Sequence, residues 1–146
     1  MSAPRSLETN VLFLCGELSH IFHGALTSEF KKNRIGITVE QFSILALLFY
    51  QEGINQQEIS VRLNRNKTTI TRVISNMERN KMITRATDKN DSRGKLIFLT
   101  KKGRDLQQKA IAHSGALYMK AVGGLSSTAL DQSARLLNMI MQNVKK

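Results

Sequence analysis

With 146 residues, 41% of them apolar and 23% charged, the chain has the size and balance of one globular domain with a core of its own. No stretch approaches the ~18 consecutive apolar residues of a membrane span, and the first twenty residues lack a basic segment leading into an apolar run, so a cytoplasmic protein is expected. The single cysteine, Cys15, excludes an intrachain disulfide, and no Cys/His cluster has metal-ligand spacing. The formal charge of +11 is unevenly spread: residues 1–61 hold four basic against six acidic residues, 62–104 thirteen against three, and 105–146 five against two. An excess confined to the centre points to one face that meets a polyanion.

In chain order, Val11, Leu14, Leu18, Ile21, Phe22, Ala25 and Leu26 recur at helical spacing, which predicts a long amphipathic helix from about Leu7 to Arg34, stopped by Gly36. Thr38-Val39-Glu40-Gln41 fits a capping box and opens a second helix expected to bury Phe42, Leu45 and Phe49. Gly53 ends it. Asn55 to Glu58 then starts a third helix of barely two turns that carries Ile59 and Leu63.

After the polar break Asn64-Arg65-Asn66, Ile70, Val73, Ile74 and Met77 fall at i, i+3, i+4 and i+7, the buried stripe of a fourth helix. Lys67, Thr68, Thr69, Thr71, Arg72, Asn76 and Arg79 make its other face. Met82 to Thr87 and Leu96 to Leu99 read as two strands of a hairpin with a charged tip and with Phe98 turned into its core. Thr100 caps a fifth helix running to about Val122, Gly123-Gly124 breaks it, and Ser126 or Ser127 caps a sixth. In that last helix Leu130, Ala134, Leu137, Met141 and Val144 form a seam suited to helix packing. The fold class expected is mainly α with a small β-hairpin wing.

Two short helices joined by a tight turn and followed by a two-stranded wing place the second helix in the major groove of duplex DNA. The residues suit that use. Thr68, Thr69 and Thr71 are short hydroxyls at the start of the fourth helix, the amides near Asn66 and Lys67 favour a phosphate, and Arg72 reaches either a guanine edge or a phosphate. The cluster of β-branched threonines is poor in helix propensity, which points to selection for contact rather than for helix stability. In the tip from Asp88 to Lys95, Lys89, Arg93 and Lys95 supply charge. Asp91 accepts hydrogen bonds from the loop or the guanidinium and aims Arg93 into the minor groove.

Thr38-Val39-Glu40-Gln41-Phe42, Gln57-Glu58-Ile59, Thr69-Ile70-Thr71-Arg72, Asp91-Ser92-Arg93 and Leu99-Thr100-Lys101-Lys102-Gly103 resemble, in order and spacing, the pattern of the MarR family of bacterial transcription regulators. The resemblance implies one winged helix-turn-helix lobe over 36–100 within a single domain of 1–146. Residues 1–35 and 101–146 would supply dimerisation helices. It also implies that Arg72 and the threonines belong to a recognition helix, that Lys89, Asp91, Ser92, Arg93 and Lys95 form the wing, and that the output is repression of a pseudo-palindromic operator. Where the family usually has glycine after the recognition helix this chain has Asn80-Lys81, so a left-handed cap is expected on Asn80. Ser92 stands where a second basic residue is common.

By the same resemblance a small aromatic acid is the expected effector, with His20, His23 and Tyr50 as candidates to line its site, though an exposed or core-edge side chain is the simpler explanation of each. Met119, Met139 and Met141 read as gap fillers. One branch of the family senses hydroperoxides through a first-helix cysteine, but the surroundings of Cys15, Phe13-Leu14-Cys15-Gly16-Glu17, bring neither tyrosine nor cation to it, and a buried structural thiol is the simpler expectation. An enzyme is disfavoured, since the sequence has no phosphate-cradling glycine loop, nucleophile elbow or metal cluster. A sequence-tolerant architectural or RNA-binding protein would share the charge, yet the central segment lacks aromatics for base stacking other than Phe98.

Overall fold

The computed structural model describes residues 6–91 and 93–146. After a 3-10 turn at Leu7–Thr9, α1 runs Val11–Lys32, α2 Val39–Tyr50, α3 Gln56–Arg62, α4 Lys67–Arg79, α5 Lys101–Ala121 and α6 Ser127–Lys145. Three short strands, β1 (Ile54–Asn55), β2 (Ile83–Thr87) and β3 (Lys95–Leu99), form an antiparallel sheet in the order β1-β3-β2. The chain divides into two compact units, one running to Ser114 and one spanning Gly115–Lys146.

Local capping explains most helix starts. The Thr38 hydroxyl accepts from Gln41 N at 3.1 Å while the Gln41 side chain accepts from Thr38 N at 2.9 Å, a complete capping box. Asn55, Asn66, Thr100 and Ser126 likewise cap α3, α4, α5 and α6 through their side-chain oxygens. The first helix begins later than its periodicity indicates, because the Asn10 amide oxygen takes the N–H groups of Leu12 and Phe13 and starts the helix at Val11.

Helix ends depart from expectation in a consistent way. α1, α3 and α4 each close with a non-glycine residue in the left-handed region, at Arg34 (φ 52°), Asn64 (φ 50°) and Lys81 (φ 58°). In each the next amide reaches back five residues, Ile35 to Phe30, Arg65 to Ser60 and Met82 to Met77, at 2.9 to 3.0 Å, which is the Schellman arrangement. The stop of α1 therefore lies at Arg34 and not at Gly36, and the left-handed residue after α4 is Lys81 and not Asn80, whose φ is −83°.

The core of the first unit joins Ile44, Leu45 and Leu48 of α2, Ile59 of α3, the expected stripe Ile70, Val73, Ile74 and Met77 of α4, and Met82, Ile83, Ile97 and Leu99 of the hairpin. Three apolar assignments change. Phe49 is 55% exposed, because the inward face of α2 is Ile44-Leu45-Leu48, and Phe42 is half-buried with its ring edge-on to Phe30 at 5.3 Å between centroids. Phe98 lies on the sheet face opposite the buried pair Ile97 and Leu99, half-buried, with its ring beside Gly53. Gly53 has φ 71°, and a Cβ there would sit 3.1 Å from the Phe98 ring. That turn leads into β1, which pairs Ile54 with Ile97 and adds a third strand to the expected hairpin.

Two polar clamps fix α5 against this core. The Glu52 carboxylate pairs with the Arg104 guanidinium and accepts from Leu99 N at 3.2 Å, and buried Gln107 donates to the Leu45 carbonyl at 2.5 Å. Gly103 packs so tightly on the Met82 carbonyl that a Cβ would overlap the oxygen.

Candidate nucleic-acid interface

Because Ile70, Val73, Ile74 and Met77 are buried, the opposite edge of α4 is forced outward. Lys67, Thr68, Thr71, Arg72 and Ser75 border one shallow basin of about 470 Å³, and Lys67, Thr68, Thr71 and Arg72 are all exposed. The Thr71 hydroxyl donates to the Lys67 carbonyl at 2.8 Å and accepts from the Gln56 amide, so α3 and α4 are tied across the turn. Arg72 also borders a cleft of about 390 Å³ with Thr38, Glu40, Asn76 and Arg79.

The remaining residues of the expected set sit differently. The Asn66 side chain accepts from Thr69 N at 2.7 Å and is committed to the cap, leaving the amides ahead of Thr69 at the exposed helix start. Thr69 is half-buried and faces a narrow cavity with Ser43, Ile44 and Arg65, away from Thr68 and Thr71. Asn76 is half-buried, and its side-chain oxygen accepts from Gln41 Nε2 at 2.8 Å and Asn80 Nδ2 at 3.0 Å. Ser75 and Gln56 were not singled out from sequence, and Gln41 was read only as a capping residue; Ser75 is legible as the next exposed position after Arg72, whereas the links of the two glutamines to α4 show only through tertiary bonds.

At the wing tip, Asp88 N donates to Gly94 O at 3.1 Å and Gly94 N to Asp91 O at 2.9 Å, closing a compact loop. Asp91 Oδ1 accepts from the Arg93 backbone N at 3.0 Å, so it holds the loop amide beneath an exposed Arg93 side chain. Lys89 is exposed, and Lys95 Nζ donates to Thr87 Oγ1 at 3.0 Å across the hairpin. Ser92 lies outside the described residues.

A separate groove of about 840 Å³ runs between α1 and the start of α2, lined by His23, Phe30, Lys31, Arg34, Ile37 and their neighbours. His23 is on it. Neither His20 nor Tyr50, which is 84% exposed, borders this groove. Cys15 is half-buried on α1 rather than enclosed, beside the exposed side chains of Phe13 and Leu14. Among the described residues no group of His, Cys, Asp and Glu is placed to hold a metal, and no helix is long and apolar enough to cross a membrane.

Helices α3 and α4 with the sheet behind them define a winged helix-turn-helix protein. Residues 37–95 match the MarR family. The HTH-type transcriptional regulator TtmR of Methylorubrum extorquens is 31% identical over 137 residues, 92% of this chain, and the chain spans 66% of that protein's length. Among solved structures, Staphylococcus aureus MepR in complex with DNA superposes with a TM-score of 0.84 at 26% identity, covering 95% of this chain and 99% of that one. CouR of Rhodococcus jostii, bound to p-coumaroyl-CoA, superposes with a TM-score of 0.80 at 25% identity, covering 93% and 94%. The chain belongs to the MarR family of transcriptional regulators.

Proposed function

We propose that the protein is a ligand-responsive repressor that works in the cytoplasm and binds a pseudo-palindromic duplex operator as a homodimer. The observation that carries the reading is the exposed edge of α4, where Lys67, Thr68, Thr71 and Arg72 line one basin directly opposite the buried stripe that anchors the helix. In that role α4 enters the major groove. Arg72 takes a guanine edge, and Lys67, Thr68 and the first free amides of the helix take phosphate. Arg93, aimed by the Asp91 loop, enters the minor groove, while Lys89, Lys95 and Ser92 of the wing follow the backbone. Asn66 and Asn76 act from behind as cap and brace, and Thr69 stands at the flank.

The lobe of 36–100 does the reading, and the segments 1–35 and 101–146 bring two copies together so that their recognition helices meet half-sites ~34 Å apart. Support for dimerisation comes from apolar side chains that the single chain leaves exposed on α1 (Leu12, Leu14, Leu18, Ile21) and on α6 (Leu137, Met139, Met141). The groove beside α1 suits a small aromatic acid, with Phe30 and Ile37 against a ring and Lys31 and Arg34 for a carboxylate.

Genomic fragments selected by the purified protein at about 0.15 M salt, where nonspecific phosphate binding is partly suppressed, test the reading. Enrichment of a short inverted repeat is expected. Featureless enrichment would move the protein to a sequence-tolerant architectural role.

A further inference from the structure

Gln41 is 7% exposed, and its side chain does more than a capping residue needs to. The capping box uses only its oxygen, which accepts from Thr38 N; a glutamate would serve equally well there. The amide nitrogen is directed across to α4, where it donates to Asn76 Oδ1 at 2.8 Å. That oxygen also receives Asn80 Nδ2 at 3.0 Å, so one acceptor on α4 is held from α2 and from the end of its own helix. Asn76 lies one turn after Arg72, and Gln41, Arg72 and Asn76 border the same cleft. The Gln41 side chain is itself buried, so breaking this bond leaves its amide without that partner.

We propose that Gln41 is a positioning residue for DNA reading: by holding Asn76 it fixes the rotation of α4 against the first turn of α2, and so the direction in which Arg72 faces. Discrimination between sequences then depends on a side chain that touches no DNA. Phosphate contacts tolerate a small rotation of the helix, whereas a bidentate contact to a base edge does not. The proposal rests on α4 being the recognition helix.

The test uses the full-length protein and its variants Gln41→Glu, Gln41→Met, Asn76→Ala and the double variant Gln41→Met/Asn76→Ala. Fluorescence anisotropy at about 0.15 M salt gives the ratio of affinities for the inverted repeat that the wild type selects and for a random duplex of equal length. Gln41→Glu keeps the capping acceptor but has no N–H for Asn76, and Asn76→Ala breaks the same bond without adding charge. The ratio is expected to fall about tenfold in Gln41→Glu and in Asn76→Ala, within the cost of one faulty base contact. The double variant should lose no more than the worse single, since both break one bond. A Gln41→Glu protein that keeps the wild-type ratio, or single effects that multiply in the double, overturns the proposal. Should Gln41→Met not fold, Gln41→Glu alone decides. Failure of the wild type to enrich any repeat is seen before a variant is made, and removes the recognition reading itself.

Discussion

Arg72 and Arg93 are both exposed cations, yet their settings assign them different work. Arg72 projects from a helix anchored by four buried side chains and Arg93 from a loop, so in the proposed reading the first takes a base edge and the second the field of the minor groove. Arg72→Ala is expected to cost about 1 to 3 kcal/mol on the operator and to relax preference at one position of each half-site. Arg93→Ala should weaken operator and random DNA more evenly, and lower the slope of log affinity against log salt by about one. Titrations at several salt concentrations separate the two, and identical profiles would remove the distinction. Arg72 was legible in the sequence because exposure follows from helical period once the buried stripe is known, and Arg93 because it stands in a polar run of turn-forming residues between two strands. The engagement of Asn76 was not, since its partner Gln41 is 35 residues away and polar residues carry no mark of whom they meet.

At the scale of elements, the starts of the helices after α1 were readable, whereas the ends of α1 and α4 were not. A cap is a local exchange between a side chain and amides two or three residues on, and Thr38, Asn55, Asn66 and Ser126 declare themselves by type. The ends fall instead on Arg34 and Lys81, residues that pay strain in the left-handed region where glycine pays none. Lys81→Gly should therefore stabilise the folded state by about 0.5 to 1 kcal/mol in thermal melts, and an unchanged or lower midpoint would show that the Lys81 side chain compensates the strain. β1 was missed for a related reason: two residues contain no alternation, and Ile54 becomes a strand only through Ile97 opposite it. Gly103→Ala should act in the other direction, forcing α5 off the Met82 carbonyl and costing 1 to 3 kcal/mol or about that as overpacking.

The contact between α1 and α5 adds a dependence on pH. His113 Nδ1 lies 2.9 Å from Glu29 Oε1, and this hydrogen bond is the main cause that holds the Glu29 carboxyl below its ordinary 4.5, with burial opposing it. A carboxyl whose folded value is depressed binds protons less readily folded than unfolded, so its contribution is present above about 4.5 and lost as pH falls through the lowered value. Melting wild type and Glu29→Gln from neutral pH downward should show a wild-type advantage that shrinks on acidification; an advantage independent of pH would exclude the linkage.

Over the whole molecule, charge and apolar surface are segregated. The basic excess lies in residues 62–104, while the seam of α6 is left uncovered, with Leu137 39%, Met141 50% and Val144 76% exposed and no residue of that helix buried. The periodic seam was plain in the sequence, but period alone does not say whether a partner is the same chain or another. In the proposed homodimer this uncovered apolar surface is what a second copy would pair with. Leu137→Glu/Met141→Glu places two carboxylates in that seam without touching the winged lobe. Analytical ultracentrifugation should show a dimer for the wild type and a monomer for the variant, with helix content by circular dichroism retained. Because two linked half-sites bind as one event and the second is nearly free of entropic cost, operator affinity should fall by roughly 10²–10⁴ while affinity for a single half-site is kept. A variant that stays dimeric would move the two-fold interface away from α6, and one that turns monomeric yet holds the full operator at wild-type affinity would mean that each lobe reads its DNA alone.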